Sequence, residues 1–233
     1  MLKFIFLVGR TLIDEQNFYS FIDSRLLYLL NQFGAKIDNR NYDAVKNDII
    51  KNRKLSRNGV EELVIQICKV LMPQGYEKII LKYILPSIDF AEKHLLYPSD
   101  DAIATLEFLS KNYRIGVIGS HEKKISKILK IYEMDKYFDC CILSYEENRE
   151  PDKEIFSLIL NTLRWRSGKS LFIGDRLDTH IHIANTLGII TIRLTKSIFK
   201  VQEATNQNEI PNFTLNNLKE LAKQVSKRKK SNR

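Results

Sequence analysis

His121, His180 and His182, with Asp175 and Asp178 in the same stretches, are the side chains best equipped for chemistry in this chain. Imidazole and carboxylate together can bind zinc or another transition metal and activate water. Two features weigh against a complete ligand set. His180 and His182 are two apart at the start of a helical pattern, so they point in different directions, and His121 is equally placed to cap the helix that follows it. Cys68, Cys140 and Cys141 show no metal-ligand spacing, and a neighbouring pair makes a poor disulfide, so all three read as buried reduced thiols. Gly168-Lys169-Ser170 is similar to the end of a phosphate-binding loop, but no glycine precedes it at the required distance and a strand pattern follows. Trp165, between Arg164 and Arg166, could stack on a base, although a lone aromatic in a connecting loop is more often packing.

The elements that must position these groups come in two kinds. Phe4 to Val8 is an unbroken apolar run, as in a parallel strand covered on both faces, and Gly9 ends it. From about Phe18 to Leu96 the pattern is helical. Phe18, Phe21, Ile22, Leu26, Leu27 and Leu30 recur at threes and fours up to Gly34, and Tyr42, Val45, Ile49 and Ile50 mark a second helix. Val60, Leu63, Val64, Ile67 and Val70 mark a third that stops before Pro73, and a fourth from about Tyr76 is expected to break or kink near Pro86. After Tyr97-Pro98 strands and helices alternate. Ser99 is placed to cap a helix through Leu109. Arg114 to Gly119, Tyr137 to Leu143, Ser170 to Gly174 and Ile189 to Ile192 read as strands. Helices are expected from about Glu122, over Asp152 to Leu163, over Leu177 to Leu187, and over Thr214 to Val225. The alternation predicts an α/β fold with a doubly wound parallel sheet, whose ligands would sit at the carboxyl ends of the strands. The expected boundaries are an α/β core over 1–15 and 97–226, a helical insertion over 16–96 and a basic flexible tail over 227–233.

A chain of 233 residues, 44% hydrophobic and 28% charged, is long enough to bury a substantial core. No apolar run approaches the roughly 20 residues of a membrane span, and Phe4 to Val8 is too short for a signal-peptide core; a cytoplasmic protein is the expectation. The net charge of +9 is concentrated at one end, since Lys227, Arg228, Lys229, Lys230 and Arg233 supply five positive charges in the last seven residues. Such a run is usually a solvated tail. A second cluster, Lys51, Arg53, Lys54 and Arg57, falls in a helix connection and reads the same way.

Four stretches recur in order at the ends of strands: Phe6-Leu7-Val8-Gly9-Arg10-Thr11-Leu12, Val117-Ile118-Gly119-Ser120-His121, Arg149-Glu150-Pro151-Asp152-Lys153-Glu154-Ile155-Phe156, and Ile173-Gly174-Asp175-Arg176-Leu177-Asp178-Thr179-His180. Together they resemble the four motifs of the haloacid dehalogenase-like (HAD) superfamily, and the helical insertion is similar to the cap that many of its enzymes carry after the first strand. The resemblance implies a HAD-like Rossmannoid core with an inserted helical-bundle cap, and it implies specific losses. Leu7 stands where the family has its nucleophilic aspartate and Gly9 where it has the acid/base aspartate. Gly119, or Ser120 after a slip of one residue, takes the place of the phosphoryl-binding hydroxyl. Glu150 replaces a lysine. Of the acids that help hold magnesium, Asp175 is retained and His180 replaces the other.

Leucine cannot attack a phosphoryl group, and one carboxylate is a poor magnesium site. The expectation is therefore a HAD-fold protein without the family's acid chemistry, serving as a binding or interaction protein for a small anionic ligand or a protein partner and needing no cofactor. Its pocket would comprise Arg10, Thr11, Ser120, His121, Glu150, Asp175 and Asp178, with Arg10 in an internal ion pair with Asp175 or Glu150 that fills the space of metal and substrate. The alternative is a divergent hydrolase or phosphatase using magnesium or zinc, with Asp175, Asp178, His180 and His121 as the candidate metal ligands. Association of the basic tail with nucleic acid is a third reading.

Overall fold

The structure, a computed structural model, describes residues 2–55, 59–119, 123–143 and 152–231. The elements run in the order β1 (Lys3–Leu7), β2 (Ile13–Asp14), α1 (Gln16–Gln32), α2 (Asn39–Lys51), α3 (Val60–Leu71), α4 (Tyr76–His94), β3 (Tyr97–Pro98), α5 (Ala102–Ser110), β4 (Arg114–Gly119), α6 (Lys123–Ile131), β5 (Cys140–Leu143), α7 (Lys153–Thr162), β6 (Ser170–Gly174), α8 (His182–Thr186), β7 (Ile190–Leu194), β8 (Phe213–Leu215) and α9 (Leu218–Ser231). By contacts the chain divides into two units, one of residues 1–14 and 97–233 and one of residues 15–96.

The first unit is built on a six-stranded sheet in the order β5-β4-β1-β6-β7-β8. Every neighbouring pair in it is parallel, so each strand must be reached by a crossover; α5 to α8 lie on the crossovers that lead to β4, β5, β6 and β7, a stretch with only 3-10 turns leads from β7 to β8, and α9 follows. Central strands are buried on both faces, which is why β1 carries Phe4, Ile5, Phe6 and Leu7 in succession at no more than 1% exposure. One core layer joins Ile5, Leu7 and Ile118 to Phe156, Ile159 and Leu160 of α7 and to Phe172 of β6. The α7 helix is aimed by Asp152, whose Oδ1 accepts the amides of Glu154 and Ile155 at 2.9 and 3.0 Å, an N-cap that satisfies two otherwise orphaned donors. Beside the sheet, β2 and β3 pair antiparallel, with Asp14 opposite Tyr97.

The second unit holds α1 to α4. Ile22, Leu26, Leu30, Ile49, Ile67, Ile80 and Ile84 are buried to 2% or less, the inner stripes of amphipathic helices. A polar cluster sits among them: Tyr42 Oη donates to Asp23 Oδ1 at 2.8 Å and Lys46 Nζ donates to Asp23 Oδ2. Burial, with Asp23 adding to it, pushes the Tyr42 phenol well above its ordinary pKa.

Several expectations are corrected here. Of the break or kink expected at Pro86, the break does not occur: α4 is helical throughout Tyr76–His94. Pro86 and Lys82, whose carbonyl loses its partner to the proline ring, both lie on the exposed side, where water can replace the missing bond. Ser99 does not cap α5. Its hydroxyl donates to Thr11 O at 2.9 Å and its amide to Leu12 O at 2.8 Å, tying the chain back to the turn after β1. The stretch from Tyr137 opens as a 3-10 turn, Asp135–Tyr137, and only Cys140–Leu143 pairs as a strand. Strand β8 takes residues expected in the last helix, because its three residues are set by pairing with β7 rather than by any pattern of their own. The backbone of α9 runs from Leu218 to Ser231. Cys68 is buried, but Cys141 is exposed and Cys140 half-buried on the edge strand β5. Among the described residues no helix is long and apolar enough to cross a membrane.

Candidate functional site

The carboxyl ends of β1 and β6 lie side by side, since Phe6 pairs with Ile173, and this adjacency brings Arg10 to Asp175. Strand β1 delivers Leu7 into the core at 1% exposure, in a cluster with Ile5, Ile118, Phe156 and Phe172. The chain then turns: the amides of Leu12 and Ile13 both bond Val8 O, at 3.0 and 3.1 Å. Within the turn Arg10 adopts a φ of +59°, the left-handed conformation that glycine takes without cost and other residues adopt at roughly 1 kcal/mol. An arginine is held there by what its head group gains. Arg10 Nε donates to Asp175 Oδ2 at 2.7 Å, with side-chain exposures of 1% and 0%. Thr11 is buried beside it, and its hydroxyl donates to Gly9 O at 3.2 Å.

After Asp175 the chain makes a turn of π-helix, Leu177–Ile181, closed by the Ile181 amide on Arg176 O at 3.1 Å. The wider turn carries His180 inward, to 1% exposure, with Nδ1 4.0 Å from Asp175 Oδ1. His182 remains half-buried, as the different directions of the two imidazoles require. Asp178 turns to other partners: Arg176 donates to it through Nε at 2.7 Å and Nη2 at 2.9 Å, and Gln202 Nε2 donates at 2.9 Å.

Electrostatics follow from this packing. Burial pushes the Asp175 carboxyl up, but the Arg10 guanidinium, His180 and a hydrogen bond from Ser197 together more than offset it and leave the pKa below the ordinary value. Asp178 behaves alike, with burial opposed by Arg176. His180 goes the other way. Burial, helped by Arg10 and Arg176 and opposed by Asp175, holds its pKa down to about 3, so the ring is neutral near pH 7.

Of the residues expected in the site, Arg10, Thr11, Asp175 and His180 come together, and Asp178 is engaged by Arg176. Gly119 ends β4 in a tight place, where a Cβ would meet Leu143 and Val8 at 3.2 Å. Ser120, His121 and Glu150 lie outside the described residues. Of the candidate metal ligands, His121 lies outside the described residues; among the described residues no group of three or more His, Cys, Asp or Glu side chains could hold a metal ion. Magnesium, the ion implied by the motif resemblance, does not fit the residues present, because Leu7 and Gly9 offer it no side-chain oxygen and Asp175 Oδ2 is engaged by a guanidinium. A cleft of about 280 Å³ opens beside Arg10, lined also by Thr11, Ser99, Lys196, Asn216 and Asp101. Lys196 Nζ donates to Asp14 Oδ2 at 2.7 Å.

Sequence reasoning missed Arg176, Arg193, Phe199 and Gln202, all of which pack around this centre. Arg176 and Asp178, two apart beside a motif acid, were the available signal; a phenylalanine in an irregular stretch gave none. Gly174, at the end of β6, supports the site by close approach. A Cβ there would lie 2.6 Å from Phe172 Cε1 and 2.8 Å from Cζ, and the buried ring has no room to withdraw. Gly174→Ala is expected to destabilise the fold by about 1–3 kcal/mol, as overpacking of a filled core does, read as a lower denaturant midpoint in urea unfolding.

Residues 44–194 match the family model described as haloacid dehalogenase-like hydrolase. Curated relatives include two proteins named glyceraldehyde 3-phosphate phosphatase. The one from Methanocaldococcus jannaschii is 32% identical over 140 residues, 58% of this chain and 60% of that protein. The one from Methanopyrus kandleri is 28% identical over 130 residues, 54% of this chain and 55% of that protein. The match thus spans between half and two thirds of the length of these two relatives. Among solved structures, a haloacid dehalogenase-like family hydrolase from Xanthomonas campestris superposes with a TM-score of 0.69 at 11% identity, covering 97% of this chain and 95% of that one. A HAD phosphatase from Thermococcus onnurineus gives 0.58 at 21% identity, covering 97% and 98%. At these identities the structural likeness establishes the fold.

Proposed function

The chain belongs to the haloacid dehalogenase-like hydrolase family, and from that premise we propose that its α/β core binds a small anionic ligand or a protein partner without turning over phosphate esters by the family's aspartyl chemistry. The observation that carries this reading is the end of β1. Leu7 is buried where the family motif has its nucleophile, Gly9 stands where it has the acid/base, and the guanidinium of Arg10 holds the retained Asp175 at 2.7 Å. In-line phosphoryl transfer needs an attacking oxygen, a proton donor for the leaving group and cationic stabilisation of the transferred group; the first two are missing from these positions. In the cleft beside Arg10 an anionic group would meet Lys196, while Asp100 and Asp101 on the same wall favour a ligand that also carries hydrogen-bond donors.

A second reading is favoured by a specific observation: the curated relatives are named phosphatases. On that reading the chain hydrolyses a phosphorylated three-carbon aldehyde through groups other than Leu7 and Gly9. One assay separates the two. The purified chain, incubated with p-nitrophenyl phosphate and with glyceraldehyde 3-phosphate in the presence of magnesium, manganese or zinc, is expected to release phosphate no faster than buffer, while inorganic phosphate raises its melting temperature. Turnover that Asp175→Ala abolishes would establish the phosphatase instead.

A further inference from the structure

Phe199 is the least expected member of the site. It sits on a short 3-10 turn, Ile198–Val201, opened by Ser197, whose hydroxyl accepts the Phe199 amide at 3.1 Å. Its ring is 2% exposed, and two guanidiniums lie over it, those of Arg10 and Arg176, each with Cζ 5.0 Å from the ring centroid. Two like charges are thus brought to one ring with water excluded, where the attraction of a cation to the ring's negative face is strongest.

The turn itself is fastened on both sides. Arg193 Nη2 donates to the carbonyls of Phe199 and Gln202 at 2.8 and 3.1 Å. Gln202 Oε1 accepts the Leu177 amide at 3.0 Å, while its Nε2 reaches Asp178, the carboxylate already gripped by Arg176. Residues 197–202 are therefore joined to the strand end that carries Asp175, to the π-turn that follows it and to the end of β7.

We infer that this strap is a positioning device, in which Phe199 holds Arg10 against Asp175 as a resident cation in place of a divalent ion and so makes this end of the sheet independent of metal. The inference rests on the reading of the site given above, and it adds a role for a residue that touches neither carboxylate. Geometry separates it from plain core filling. An aliphatic side chain of similar volume can fill the space, but it has no negative face for the guanidiniums.

Two measurements on the full chain test it. The first is a double-mutant cycle in urea unfolding at neutral pH. Phe199→Leu and Arg10→Ala together are expected to lower the midpoint by less than the sum of their separate effects, Phe199→Tyr to keep most of the parent's midpoint, and Ile84→Val in the helical unit to add independently to Arg10→Ala. Simple additivity of Phe199→Leu with Arg10→Ala would overturn the positioning role. The second is the melting temperature with magnesium, with manganese and with a chelator. The unaltered chain is expected to show no shift. The combined variant Leu7→Asp, Gly9→Asp and Arg10→Gly, which returns side-chain oxygens and removes the guanidinium, should rise by about 5 °C at saturating magnesium. A magnesium-dependent rise in the unaltered chain would overturn the replacement of the ion, whatever the combined variant does. Turnover of a phosphate ester without any metal response in melting would sink the non-hydrolytic reading and leave this inference standing.

Discussion

Replacing Arg10 with alanine is expected to lower the stability of the α/β unit by about 3–5 kcal/mol, the usual cost of removing one partner from a buried ion pair. Asp175 is fully buried and cannot recover the lost interaction from solvent, so its carboxyl is driven towards the neutral form. The substitution also separates two contributions. Alanine at position 10 keeps the backbone at a φ of +59°, whereas glycine relaxes it, so Arg10→Gly should be about 1 kcal/mol less damaging than Arg10→Ala. Adding Asp175→Asn to Arg10→Ala should cost less than the sum of the two single changes, because no uncompensated charge remains. Urea unfolding of the parent and the four variants measures all of this. An Arg10→Ala variant as stable as the parent would mean that the pair contributes nothing to holding the site.

The second large effect is on pH dependence. His180 in the folded protein takes up a proton only near pH 3, while in the unfolded chain it does so around 6.5. Between these values the unfolded state binds more protons, so acidification favours unfolding. Stability is complete above about pH 6.5 and falls by about 1.4 kcal/mol for each pH unit below it, or on the order of 4–5 kcal/mol by pH 3. Asp175 acts in the same direction but in a lower window. Its folded pKa lies below the ordinary 3.8, so the stability it confers is present above that value and is lost only as the pH drops through the folded pKa. The limb between pH 6.5 and about 4 therefore belongs to the imidazole among these two groups. His180→Gln should flatten it, read as a urea midpoint that changes little between pH 7 and pH 4.5. If the midpoint of the parent chain does not fall over that range, the ring is not held neutral.

How much of this could be read without coordinates depends on whether a feature is local or made by tertiary contact. The unbroken apolar run before Gly9 fixed β1, and the four motif stretches fixed both the fold and the positions of Leu7, Gly9 and Asp175, because each is a short segment whose pattern is complete within itself. The pairing of Arg10 with Asp175 was legible for a related reason: in a parallel sheet, residues just past the ends of adjacent strands must meet. Failures came where packing decides. Pro86 was tolerated because its side of α4 faces water. Ser99 was diverted from capping by the carbonyl of Thr11. The strand β8 exists only through its pairing with β7. Phe199 and Gln202 reach the site across more than twenty residues of chain from Asp175, and their types alone carry no sign of a destination.

The junction at which the helical insertion leaves and rejoins the sheet has a bearing on how such a chain could be taken apart. Asp14 and Tyr97 are opposed residues of a two-stranded antiparallel ladder, and Lys196 anchors Asp14 at 2.7 Å. Ends held at the spacing of a β-ladder are close enough for a two-residue reverse turn to rejoin them. The eighty-odd intervening residues are, topologically, an excursion from a hairpin tip, which is how a sheet of this type can gain, exchange or shed an entire bundle without re-threading a single strand.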